Sequence, residues 1–229
     1  MDRNIIALGG GGFSMEPENP LLDTYILEIS GKKKPKICFI PTASGDSQDY
    51  KDRFYNFFKN FNCITSDLSL FRTKINDMEA FLLEQDIIYV GGGNTRNMLL
   101  LWKDWGIDKI LKKAYEKGIL LCGISAGAIC WFEEGLTDSI PNQLNKWDSL
   151  GFLKGSCSPH FDGEINRKPI FLDLIKKGKM KEGLGIDDSC AVHFKNEEIF
   201  KIVSSKNTAK AYKVTENSFY ELETQFLGV

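Results

Sequence analysis

The chain has 229 residues, with 29 Lys and Arg against 31 Asp and Glu, a formal net charge of −2, and 42% hydrophobic and 26% charged residues. These values match an ordinary globular domain and exclude a disordered chain, a collagen-like fibre and a membrane-embedded bundle. The charge balance argues against nucleic acid as a partner, because proteins that bind it usually carry a basic excess.

The first apolar run is short, Ile5 to Leu8, and ends in Gly9-Gly10-Gly11-Gly12. It is too short for the apolar stretch of a secretion signal. No run approaches the ~18 apolar residues a membrane span needs. Lys36–Ile40 ends in Pro41-Thr42-Ala43, Ile87–Val90 in Gly91-Gly92-Gly93, and Ile119–Ile124 in Ser125. Each reads as a buried strand that stops at a turn. Tyr50 to Phe61 and Asn97 to Lys117 are amphipathic and predict helices between those strands. Helices alternating with apolar strands imply right-handed crossovers and a mostly parallel sheet. In the last third, Glu197–Val203 and Ala209–Thr215 read as strands and Ser218–Phe226 as an exposed edge. These predict an antiparallel extension of one domain spanning 1–229. The six cysteines, Cys38, Cys63, Cys122, Cys130, Cys157 and Cys190, form no CxxC pair. Zinc and thioredoxin-like readings are therefore weak, and reduced thiols in a cytoplasmic protein with no membrane partner are expected.

The Gly9–Gly12 run invites a dinucleotide reading, but residues 29–32 are Ile-Ser-Gly-Lys, with no acid to take a ribose. A tight turn at the carboxyl edge of the sheet, where open α/β sheets place ligands, is the better reading. Gly123-Ile124-Ser125-Ala126-Gly127-Ala128 follows an apolar strand and matches G-x-S-x-G in its required context of strand, sharp turn and helix. There the Ser125 hydroxyl is exposed at the sheet edge and the Ala126 N–H faces a forming oxyanion. The plain alternative is a serine that caps the next helix. A serine needs a base, and the only histidines are His160, in a Pro-containing loop, and His193, within a strand. The loop position favours His160, and His193 reads as structural. An acid must orient the imidazole, and Asp138 and Asp188 both qualify. Gly91-Gly92-Gly93-Asn94-Thr95 opens the next helix. Gly92 or Gly93 can offer a second oxyanion donor, with Asn94 or Thr95 as the cap or as a contact for substrate.

In their order and spacing, Gly91–Thr95, Gly123–Ala128 and Pro159-His160-Phe161 resemble the peptidase E (α-aspartyl dipeptidase) family, which includes cyanophycinase-like enzymes. The likeness runs from the first strand to the Gly185 segment. It implies a class I glutamine-amidotransferase-like, flavodoxin-like fold: a three-layer α/β sandwich with serine replacing the usual cysteine nucleophile. It also implies hydrolysis of small peptides without cofactor or metal. On that resemblance Ser125 is the nucleophile, His160 the base, and Gly92 and Ala126 the oxyanion donors. Asp138 matches the usual third member, and Asp188 a position where the family can carry a glutamate. Family dipeptidases cleave after an N-terminal aspartate, for which Arg167 is the candidate partner, though it follows His160 more closely than the dipeptidase pattern implies. Two other readings share these residues: an α/β-hydrolase esterase using His193, and a binding module that kept the fold without the chemistry. Self-association into a homo-oligomer is compatible with all three.

Overall fold

A computed structural model describes residues 2–228. The parallel core of the first sheet is β1 (Asn4–Leu8), β2 (Lys36–Ile40), β3 (Ile64–Asp67), β4 (Ile87–Val90) and β5 (Leu120–Ile124), in spatial order β1-β5-β4-β2-β3. Beyond β1 the sheet continues through β10 (Cys190–Lys195), antiparallel to β1, then β11 (Glu198–Ser204), antiparallel to β10, and the short β14 (Gln225–Phe226), parallel to β11. The four strands expected from the apolar runs are β1, β2, β4 and β5, whereas the half-polar β3 was not expected.

Those runs are apolar throughout because both faces of the sheet are covered. Ile5, Ala7, Cys38, Ile40, Ile88 and Val90 point into one core. It is filled by α5 (Thr95–Trp105), α6 (Ile107–Glu116) and the four-residue α7 (Ala126–Ile129). The alternate residues, Ile6, Leu8, Ile37, Phe39, Ile87 and Tyr89, point into the other. There they meet α1 (Gly12–Met15), α2 (Leu21–Ile29) and α3 (Gln48–Phe58). The stretch 97–117 was expected as one helix and is two, because Gly106 adopts φ 72 and turns the chain between α5 and α6. The remaining helices are α4 (Met78–Leu83) and α8 (Arg167–Lys176).

A second sheet lies beside the first core and was not expected as a separate layer. It contains β6 (Phe132–Ile140), β7 (Gln143–Asp148), β8 (Leu153–Ser158), β9 (Gly183–Ile186), β12 (Ala211–Val214) and β13 (Phe219–Leu222), in order β13-β12-β9-β8-β6-β7. Phe132, Leu153, Cys157, Leu184 and Ile186 face the first core. Leu136 and Val214 pack with Phe171 and Ile175 of α8. The last third is thus divided: β10 and β11 extend the first sheet, and β12 and β13 close the second. Among the described residues no helix is long and apolar enough to cross a membrane, and all six cysteines are unpaired.

His193 lies in β10 and is 1% exposed. Its Nδ1 sits 2.8 Å from the Tyr25 hydroxyl and its Nε2 3.0 Å from Asn4 Oδ1, so both ring nitrogens are engaged. Burial, then the charges of Lys195 and Lys201, push its pKa down from 6.5 to about 4. Between those values the unfolded chain binds the proton and the folded chain does not. Stability therefore falls as pH drops from 6.5 towards 4, by on the order of 3 kcal/mol. Urea unfolding of wild type and His193→Gln across that range should show this acid loss reduced in the variant.

Candidate active site

The site is assembled on the end of β1. The Leu8 carbonyl accepts from the Ser125 N–H at 3.1 Å, the Gly9 carbonyl from the His160 N–H at 3.3 Å, and the Gly10 carbonyl from the Ser189 N–H at 3.2 Å. Three successive carbonyls thus fix the chain at the serine, at the histidine and beside Asp188. The run of glycines is what permits this. A Cβ on Gly10 would overlap the Asp188 carboxylate and lie 3.2 Å from His160 Nδ1.

Ser125 has φ 56 and ψ −113, a backbone conformation that costs a residue with a side chain about 1–3 kcal/mol. The flanking glycines make the bend possible by close approach. A Cβ on Gly127 would overlap the Val90 carbonyl, and one on Gly123 the Gly127 carbonyl. Although Ser125 precedes α7, its hydroxyl makes no capping hydrogen bond, so the plain capping alternative does not hold. Its Oγ has no hydrogen-bond partner among the described residues.

His160 Nδ1 lies 2.6 Å from Asp188 Oδ1, with the two side chains 15% and 27% exposed. This contact places the ring proton on Nδ1 and leaves Nε2 as the free lone pair. Among the described residues Nε2 has no partner, and no hydrogen bond joins it to Ser125 Oγ. Such pairs are often loose without substrate and tighten when it binds. Asp188 is steadied by its own N–H, which donates to Asp162 Oδ1 at 2.8 Å. The neighbouring Asp187 turns away and accepts from the Lys210 N–H at 3.0 Å. Burial, then the charge of Asp162, pushes its carboxyl up to about 6.

Four expected site residues have other partners. Asp138, the alternative acid, makes no hydrogen bond to His160. It is 64% exposed on β6 and sits 3.6 Å from Arg167. Arg167 itself is buried. Its Nε donates to Glu164 at 2.6 Å and its Nη1 to the Leu136 carbonyl at 3.0 Å, so its fork is occupied by the protein. Asn94 caps α5 by accepting from the Asn97 N–H at 2.9 Å and donates to the Ser139 carbonyl at 3.0 Å. Thr95 is 1% exposed and meets the Thr137 hydroxyl at 3.2 Å. Both polar groups help to fasten α5 to β6.

The glycine loop after β4 does reach the serine. A Cβ on Gly92 would stand 3.3 Å from Ser125 Cβ. The Gly92 N–H, however, is committed to the Tyr50 hydroxyl at 3.2 Å. The N–H groups of Gly93 and Ala126 have no partner among the described residues. Tyr50 was not singled out from the sequence, because a tyrosine on an amphipathic helix reads as core. Among the described residues no group of three or more His, Cys, Asp or Glu side chains could hold a metal ion.

The chain is 55% identical over 230 residues to the uncharacterized peptidase YgaJ of Bacillus subtilis (strain 168), covering 99% of this chain and 100% of that one. It is 26% identical over 201 residues to the uncharacterized peptidase Lin0382 of Listeria innocua, covering 82% and 93%. In fold it is similar to a peptidase from an acI-B1 actinobacterium, with TM-score 0.71, 19% identity and coverage of 98% and 95%. The model of peptidase family S51 matches residues 5–202, from the first strand through β11. The chain belongs to peptidase family S51.

Proposed function

We propose that this peptidase is a serine enzyme that cleaves small peptides through an acyl-enzyme. His160 Nε2 takes the proton of Ser125 Oγ as that oxygen attacks the scissile carbonyl carbon. The carbonyl oxygen, now carrying the negative charge, is held by the N–H groups of Ala126 and Gly93. His160 then gives its proton to the leaving amine as the C–N bond breaks. Water, deprotonated by the same imidazole, attacks the ester, and the proton returns to Ser125. Asp188 keeps the ring in the tautomer that accepts at Nε2 and offsets its transient charge. The observation that carries this reading is the 2.6 Å His160–Asp188 contact beside a strained, uncapped serine, with all three segments pinned to one strand end. The esterase reading loses its base, since both nitrogens of His193 are engaged elsewhere.

The preference for an N-terminal aspartate, implied by the family resemblance, finds no free guanidinium in Arg167. The cation that could serve is Lys168, one residue on. Its Nζ lies 4.4 Å from the centre of the Phe219 ring, 5.3 Å from Tyr212 and 5.8 Å from Phe161, the neighbour of His160. Among the described residues it forms no ion pair, although its charge acts on the Asp187 carboxyl.

Ser125→Ala is expected to lower peptide hydrolysis by on the order of 10³-fold or more with unchanged melting. Asp188→Asn should lower kcat by about a hundredfold or more, whereas Asp138→Asn should leave it near wild type. Full activity in Ser125→Ala, or equal losses in the two Asp variants, would overturn the assignment. On a panel of Asp-Ala, Ala-Ala and Lys-Ala dipeptides, Lys168→Met should reduce kcat/KM about tenfold for Asp-Ala alone. A uniform change across the panel would remove Lys168 from substrate selection.

A further inference from the structure

We propose that Tyr50 is a positioning residue of this site: its hydroxyl pins the Gly92 N–H and thereby leaves Gly93 and Ala126, not Gly92, as the oxyanion donors. The inference rests on the serine-peptidase reading and deepens it.

The Gly92 N–H carries one hydrogen, and in the structure that hydrogen is directed at Tyr50 Oη, 3.2 Å away. The phenol is not free to swing aside. Its oxygen also accepts from the Ser14 hydroxyl at 2.8 Å. Arg53 lies over the ring at 4.8 Å while donating to the Ser14 carbonyl at 3.1 Å. Phe39 packs edge-on at 5.0 Å and Phe13 lies tilted against the ring at 5.7 Å. The loop is shaped to receive this ring: a Cβ on Gly91 would fall 2.9 Å from Phe39 and 3.1 Å from Tyr50. Tyr50 is 5% exposed, so losing the Gly92 N–H bond would leave polar groups unpaired in a largely dry place.

The far side of the same loop touches the chemistry. Gly92 abuts the Ser125 side chain, and Gly93, at φ 135, is wedged against the Ala43 carbonyl. The next N–H, that of Asn94, donates to that carbonyl at 2.8 Å. The loop is thus clamped at Gly92 from below and at Asn94 from the side. The Gly93 N–H between these clamps is left unpaired and held in one orientation. Donors that need no reorganisation when charge develops are the ones that lower a barrier. Removing the Tyr50 hydroxyl frees the lower clamp without touching any group that contacts substrate.

The test compares wild type, Tyr50→Phe and Ser14→Ala on a dipeptide that the wild type hydrolyses. It uses a peptide aldehyde as the tetrahedral analogue and a non-cleavable dipeptide as the ground-state ligand. Tyr50→Phe should lower kcat by about tenfold or more with KM nearly unchanged. Aldehyde affinity should weaken by a similar factor while binding of the non-cleavable dipeptide holds. Ser14→Ala should move the same quantities less. Amide exchange at Gly92 should speed up in Tyr50→Phe. Unchanged or raised kcat would overturn the proposal, because it would mean that Gly92 serves the oxyanion once released. So would parallel losses in aldehyde and dipeptide binding, which would indicate general loosening. A wild type that hydrolyses no peptide and fails to react with a fluorophosphonate would overturn the peptidase mechanism itself, and this inference with it. An active wild type confines any failure to Tyr50.

Discussion

The candidate site depends on one strand end offering three carbonyls in a row to three different parts of the chain. Leu8, Gly9 and Gly10 receive the N–H groups of Ser125, His160 and Ser189. Backbone hydrogen bonds of this kind are individually modest, near 1 kcal/mol each, but they act here as a ruler. Side chains borne on segments fixed to neighbouring carbonyls cannot drift apart by much. The proposed nucleophile, base and acid therefore need no contacts beyond their own to stay in register. Glycine is required there because the acid and the imidazole press directly on the loop backbone.

The second constraint is the closeness of β4, β5 and α7 around the serine. Gly123 and Gly127 let three backbones meet where any side chain would overlap a carbonyl oxygen. The strain at Ser125 is sustained by that packing: the residue's own carbonyl starts α7, accepting from the N–H groups of Ala128 and Ile129 at 2.9 and 3.0 Å. A strained backbone held by many neighbours is the usual way to keep a hydroxyl off the helix it precedes. The hydroxyl is then left unpaired instead of being consumed as a cap.

Much of this was legible in the residues. Runs such as Ile87–Val90 are apolar at every position because both faces are buried, and each ended where expected. The Ser125 bend was readable because its flanking glycines have no room for substitution. The placement of His160 in a loop and of His193 in a strand was readable. Which carboxylate contacts His160 was not readable, since Asp138 and Asp188 both sit beside hydroxyl residues and only the tertiary path brings one of them to the ring. Arg167 carried a warning that went unused: Glu164 stands three residues before it and occupies its fork. The second sheet was hidden because β7 is mostly polar, with Asn145, Lys146 and Asp148 on an open edge, so no apolar run announces it. Asn94 and Thr95 looked free because their partners, Ser139 and Thr137, lie on that unannounced sheet.

The ruler at the end of β1 also dictates when the machinery can exist. Its three carbonyls precede the segments they hold, at Ser125, His160 and Ser189, by long stretches of chain. Contacts so distant in sequence form late. A nascent chain that has left the ribosome only as far as α7 carries its serine with neither imidazole nor carboxylate beside it. On the proposed mechanism, nucleophile, base and acid therefore come together only when β10 docks against β1.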